Sequence, residues 1–137
     1  MSIIDMKLMR YINLLDRISR VKTRKCFVYN NIIVFAVPKM MISQAIGPGA
    51  VNVRRIQEQL GKKVKIVAEP TGIEDAEEFT REIVSPIKFK SLELKDGFFI
   101  LTAGSSSKAA LIGRNKRRFD ELRQTLMDNF GVELKIV

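Results

Sequence analysis

The sequence predicts an α+β protein made of two copies of one α-β-β-α-α-β unit, each a small three-stranded sheet with helices packed on one face. Three observations carry that prediction. Hydrophobic residues make up 46% of 137, enough for a core in a chain with room for only one or two small domains. The two halves align on each other at an offset of 66: Asn31-Ile32-Ile33-Val34-Phe35-Ala36 falls on Gly97-Phe98-Phe99-Ile100-Leu101-Thr102, and Ala45-Ile46-Gly47 on Leu111-Ile112-Gly113. Val53, Ile56 and Leu60 then match Phe119, Leu122 and Leu126, after which the offset becomes 70, with Gly61 on Gly131 and residues 64–67 on residues 134–137. Four extra residues are close to one helical turn, so the insertion keeps the same helix face inward. Thirdly, the apolar pattern switches between helix and strand period in the same order in both halves.

The elements follow in order. Ile4, Leu8, Ile12 and Leu15 recur at helical spacing behind a Ser2 to Asp5 capping box, and Ile73, Ala76, Thr80 and Ile83 do so in the second unit. Glu74, Asp75, Glu77 and Glu78 crowd that second helix's first turn, where they suit the macrodipole. A hairpin comes next. Residues 26–29 and 32–37 flank Asn30-Asn31, and residues 89–95 and 98–102 flank Asp96-Gly97; both are two-residue loops that tolerate positive φ. A short helix follows over residues 38–46 and 105–112, stopped by Gly47 or Gly113 in a left-handed C′ position. A longer amphipathic helix carries apolar residues at 53, 56 and 60, or at 119, 122, 126 and 130, and ends at Gly61 or Gly131. A last strand closes each unit, residues 63–67 and 132–137. The domains are residues 1–69 and 70–137, joined through Glu69-Pro70-Thr71-Gly72.

Composition narrows the function classes. The single cysteine, Cys26, makes no internal disulfide and reads as a small buried strand residue. With no histidine, the usual zinc sites and every histidine-based acid, base or triad are excluded, and no P-loop, metal-ligand cluster or nucleophile motif is present. The expectation is a protein that is not an enzyme, with no catalytic residues, metal, cofactor or small-molecule substrate. No apolar run approaches the roughly 18 to 20 residues of a membrane span, and Asp5 and Lys7 break the opening hydrophobic stretch, so the expected location is the cytoplasm, away from the membrane. The net charge of +9 points to a polyanion. All of that excess lies in residues 1–69, with thirteen basic and four acidic side chains, against eleven of each in residues 70–137.

The segment Ala45-Ile46-Gly47-Pro48-Gly49-Ala50-Val51-Asn52-Val53-Arg54-Arg55-Ile56, with Gly61 and residues 62–66 after it, resembles the KH signature I-G-x-x-G-x-x-I-x-x-I followed by a helix, a glycine and a strand. The hairpin in front and the helices on both sides of the loop resemble the type II arrangement. Two such units behind an N-terminal helix are similar to the paired KH module of the NusA transcription factors, in particular the short archaeal type, over nearly the whole chain. The resemblance implies tandem type II KH domains that bind single-stranded RNA, the nascent transcript, without catalysis, and that act on transcription elongation or termination. RNA polymerase is a further candidate partner, although bacterial NusA proteins add a polymerase-binding domain and an OB-fold for which this chain has no room.

The loop chemistry is physically reasonable: a turn with little side-chain bulk lets a nucleic-acid backbone approach the main chain, and the following helix presents N–H groups and a positive dipole end. The candidate RNA-binding residues of the first unit are Ile46, Gly47, Pro48, Gly49, Ala50, Asn52, Val53, Arg54 and Arg55. Ile46, Val53 and Ile66 are the candidates for an apolar groove beside the loop, although aliphatic residues at that period more often face a core. Ala50 replaces the motif's final glycine, a change that adds only a methyl group if its φ is negative. In the second unit the candidates are Gly113, Arg114, Asn115, Lys116, Arg117 and Arg118. Lys116 replaces the final glycine there and brings a long side chain to the clamp, while the four cations stand at a helix start where helix stability disfavours them. Arg54 and Arg55 lie within a turn of the first loop, in reach of flanking phosphates. Arg20, Lys22, Arg24, Lys25, Lys62, Lys63 and Lys65 extend the basic surface.

Two other functions compete. One is a ribosome-associated or ribosomal-RNA-binding KH protein. The other is a protein-docking module in which only the first unit touches nucleic acid, suggested by the neutral second unit and by Lys116.

Overall fold

Both predicted hairpins form, and their turns show why Asn-Asn and Asp-Gly stand where they do. The computed structural model describes residues 3–137, with side chains from Met6 onward. In the first unit α1 spans Ile3–Ser19, β1 Lys25–Tyr29, β2 Ile32–Val37, α2 Ile42–Ile46, α3 Val51–Leu60 and β3 Lys63–Ala68. In the second, α4 spans Ala76–Val84, β4 Ser91–Lys95, β5 Phe98–Thr102, α5 Ser105–Ile112, α6 Arg117–Phe130 and β6 Glu133–Ile136. Asn30 and Asn31 have φ of 52° and 62°, and Asp96 and Gly97 have 52° and 80°, the paired positive values that match the twist of a two-residue hairpin. The capping box of Ser2 and Asp5 lies outside the described side chains.

The chain divides into two compact units, Met1–Glu69 and Pro70–Val137. Each holds a mixed three-stranded sheet in the order β1-β2-β3 or β4-β5-β6. The first two strands pair antiparallel, Cys26 opposite Phe35 and Leu92 opposite Leu101. The last strand returns parallel to the middle one, Phe35 opposite Ile66 and Leu101 opposite Ile136. A parallel return needs a crossover, which the two helices after the hairpin supply. The architecture is α+β with two such sheets.

In the first unit one sheet face, with Cys26, Ile33, Phe35 and Val64, packs on Leu14 and Leu15 of α1, Ala45 of α2 and Ile56 of α3. Gln44 Nε2 donates to Ser19 O at 3.0 Å and ties α2 to the end of α1. In the second unit the core takes Phe79 and Ile83 from α4, Phe99 and Leu101 from β5, Leu111 from α5 and Leu122 and Leu126 from α6. Phe130 meets Phe79 and Phe99 edge to face, at 5.9 and 5.6 Å. The four-residue difference between the halves is taken up inside one element: α3 has 10 residues and α6 has 14.

Three expectations are corrected. Ile73 is 45% exposed, in a 3-10 turn ahead of α4, and Phe79 takes the buried place instead. The helix expected over 38–46 is a 3-10 turn, Lys39–Met41, followed by the short α2, because Pro38 fixes the entry. The strand expected from residue 89 begins at Ser91; Phe89 is buried before it, with the Arg81 guanidinium 4.2 Å over its ring.

Candidate functional site

The two glycine loops have one backbone conformation. The N–H of Gly47 closes α2 on Ser43 O at 2.9 Å, and that of Gly113 closes α5 on Ala109 O at 3.0 Å. Neither glycine takes the expected left-handed C′ position. Gly47 has φ 79° and ψ 163°, Gly113 has φ 72° and ψ 175°, in a region that essentially only glycine occupies. Two left-handed residues follow in each loop: Gly49 (60°, 26°) and Ala50 (60°, 28°), then Asn115 (56°, 29°) and Lys116 (60°, 20°). Ala50 does not meet the condition of a negative φ under which the change would add only a methyl group, and that methyl sits on a strained backbone. The N–H of Ala50 returns to Gly47 O at 3.0 Å, and that of Lys116 to Gly113 O at 3.3 Å.

Several candidate side chains brace the loops from inside. Asn52 Nδ2 donates to Gln44 O at 3.0 Å, joining the helices on either side of the first loop. Arg118 Nη1 donates to Ala110 O at 3.1 Å, the same bridge 66 residues on, made by a different residue type. Arg54 Nη1 donates to Gly49 O and holds the loop's own carbonyl. Asn52, Arg54 and Arg118, three of the expected RNA-binding residues, are thus already engaged. Arg55, Arg114, Lys116 and Arg117 are exposed and, among the described residues, have no side-chain hydrogen bond or ion pair. Three of these surround the start of the 14-residue α6, at the helix end that favours anions. Pro48 and Gly49 are exposed at the loop tip, and beyond its two chain neighbours nothing lies within 4 Å of the place a Gly49 Cβ would occupy.

The groove expected beside the first loop has its clearest counterpart beside the second. Ile46, Val53 and Ile66 are half-buried, and Val53 and Ile66 pack against the first unit's core. Their equivalents Ile112, Phe119 and Ile136, with Lys116, Leu134, Lys135 and Val137, line a cavity of about 330 Å³. The internal alignment contained this signal, since it carries Ile46 to Ile112 and Val53 to Phe119, and Phe119 offers an aromatic surface where the first unit has valine.

One wall of the groove is the free edge of β6. Val137 N–H donates to Leu101 O at 2.8 Å and its carbonyl accepts from Ala103 N–H at 3.1 Å, so this residue turns both groups toward β5. By strand alternation Leu134 and Ile136 turn theirs outward, toward the groove. The Lys135 ammonium lies 4.1 Å over the Phe98 ring, which leaves Lys116 as the groove's own cation.

The rest of the chemistry is quiet. Burial pushes the Cys26 thiol up to about 12, which keeps it protonated and unreactive. Arg123 holds Glu133 through two contacts of 2.6 Å, tying α6 to β6 and keeping the Glu133 carboxyl below the usual carboxylate range. Among the described residues no cluster of three or more Cys, Asp or Glu side chains is placed to hold a metal ion, and no helix is long and apolar enough to cross a membrane.

No family model and no curated protein matches this chain. Among solved structures, one titled "Crystal structure of APE1850" is similar at 25% identity and a TM-score of 0.64, over 96% of this chain and 99% of that one.

Proposed function

We propose that this chain is a non-catalytic single-stranded RNA-binding protein, its two units being tandem type II KH domains, and that it acts on transcription elongation or termination as the NusA resemblance implies. One observation carries the reading: two loops of different sequence, Gly47-Pro48-Gly49-Ala50 and Gly113-Arg114-Asn115-Lys116, keep one strained backbone at the start of a helix. Left-handed Ala50 and Lys116 each oppose stability, one in each loop, while Asn115 is a residue type that tolerates this region. Strain held at the same place in two diverged copies suits a site that must present its main chain. Lys116, which by itself suggests a lost clamp, extends from a loop of unchanged shape beside an apolar groove, and this favours RNA contact by both units over a docking role for the second.

The test is single-stranded RNA binding by fluorescence anisotropy, comparing the native chain with a Pro48→Asp, Gly49→Asp variant and an Arg114→Gln, Lys116→Gln, Arg117→Gln variant. The second spares Arg118, which braces its loop, and circular dichroism checks that both are folded. Loss of binding in each variant supports clamping by both loops. Unchanged binding by the first variant assigns the RNA to the general basic surface and overturns the loop reading; loss in the first variant alone returns the second unit to a docking role.

A further inference from the structure

We propose that the groove between α1 and α3 in the first unit is a second phosphodiester site, taking the backbone of an RNA strand that continues past the 47–50 loop; this rests on the RNA-binding reading above. The groove holds about 360 Å³, with Arg10, Asn13 and Arg17 of α1 and Gln59 of α3 at its rim over buried Tyr11 and Leu14 and half-buried Leu60. Positions 10, 13 and 17 share one helix stripe, and the two arginines stand about 10 Å apart along the axis. Among the described residues neither guanidinium has a hydrogen bond or ion pair. The acidic side chains of these two helices nearest the groove, Asp16 and Glu58, are outside its lining. Guanidinium groups only donate, and the two amides present donors beside them. The site therefore suits an oxyanion and has nothing of its own to neutralise it.

The position agrees with a continuing strand. α3 has 10 residues and is about 15 Å long, with the loop at its start and Gln59 at its far end. Arg55 and Gln59 are both exposed and four residues apart, hence neighbours on one face. A backbone leaving the Gly49-Ala50 main chain passes Arg55 and Gln59 along α3 and steps across the groove to Arg17 and Arg10 on the adjoining α1. An acidic protein segment would find the same cations, with exposed Met6 and Met9 on α1 for its apolar side. The donor-rich lining and its continuity with the loop favour the nucleic acid.

An Arg10→Gln, Arg17→Gln variant tests this, since both side chains are exposed and folding is checked by circular dichroism. Anisotropy is measured on oligouridines of about 4 nucleotides, which fill one loop, and about 12, which continue beyond it. The expected result is unchanged binding of the short oligomer. The long one should weaken roughly 25-fold at about 0.1 M salt, its log K against log salt slope falling by about 1.4 for two lost contacts. Equal binding of the long oligomer by both proteins overturns the groove site and leaves the loop reading intact. Equal loss at both lengths also overturns it, reducing the arginines to a general field. Failure of the native chain to bind either oligomer overturns this site together with the RNA reading, and retention of polyglutamate by the native chain but not the variant would then assign the groove to a protein partner.

Discussion

Replacing Gly47 by alanine should destabilise the protein far more than the same change at Gly49, although the two glycines are separated by one residue and both have positive φ. At Gly47 the backbone lies at φ 79° and ψ 163°, where a residue with a Cβ costs on the order of 1–3 kcal/mol. The new Cβ would also stand 2.8 Å from Asn52 Nδ2 and 3.0 Å from Val51 Cγ1. Moving Asn52 breaks its bond to Gln44 O, a further cost of about 0.5–1.5 kcal/mol. The sum is about 1.5–4.5 kcal/mol, from which the stiffer unfolded chain returns about 0.4–1 kcal/mol, leaving a net loss of about 0.5–4 kcal/mol. At Gly49 the left-handed φ of 60° costs alanine about 1–2 kcal/mol, the added Cβ meets nothing within 4 Å beyond its chain neighbours, and the stiffer unfolded chain returns the same amount of about 0.4–1 kcal/mol, so the net loss is about 0–1.6 kcal/mol. Urea unfolding followed by circular dichroism reads both. The heat transition should fall by about 4–8 °C for each kcal/mol lost, given that the affected unit spans Met1–Glu69. Two variants agreeing within about 0.5 kcal/mol, the usual scatter of neutral substitutions, would refute the reasoning, because the asymmetry comes wholly from the backbone region and the Asn52 bridge.

Two further outcomes follow from the same geometry. Ala50→Gly relieves a left-handed alanine and should raise stability by about 0.5–1 kcal/mol after the entropy of the unfolded glycine is subtracted, visible as a higher urea midpoint with an unchanged slope. Glu133, held by Arg123, has its folded-state carboxyl below the unfolded value of about 4.3. Its contribution is therefore present above that pH and is lost as pH falls through the lower folded value; Glu133→Gln should flatten that part of the stability profile and leave the neutral-to-alkaline part parallel to the native curve.

The site was legible in the sequence where chemistry depends on residue type and spacing. Gly47 and Gly113 stood out because each ends an apolar-periodic segment, and the offset of 66 made each support the other. Their conformation was not legible: a glycine after a short helix suggests a left-handed cap, and only the chain's path into the next helix shows the extended, positive-φ geometry. The bracing roles of Asn52, Arg54 and Arg118 were equally hidden, since each depends on which carbonyl the fold brings within reach. Arginine beside a glycine loop reads as a phosphate ligand until its partner is seen. The buried place of Phe79 is hidden in the sequence because a weak periodicity allows two faces, and packing against Phe130 selects one.

By itself the sequence determined the repeat, the order of its elements, the hairpin turns at Asn30-Asn31 and Asp96-Gly97, and the confinement of excess positive charge to residues 1–69, because local propensity, period and composition are properties of neighbours along the chain. The tertiary structure decided the parallel return of β3 and β6 to the middle strand, the strained shape shared by the two loops, and the gathering of Ile112, Phe119 and Ile136 into a groove. Those depend on contacts between residues far apart in sequence, whose energies exist only once the helices have closed over the sheet.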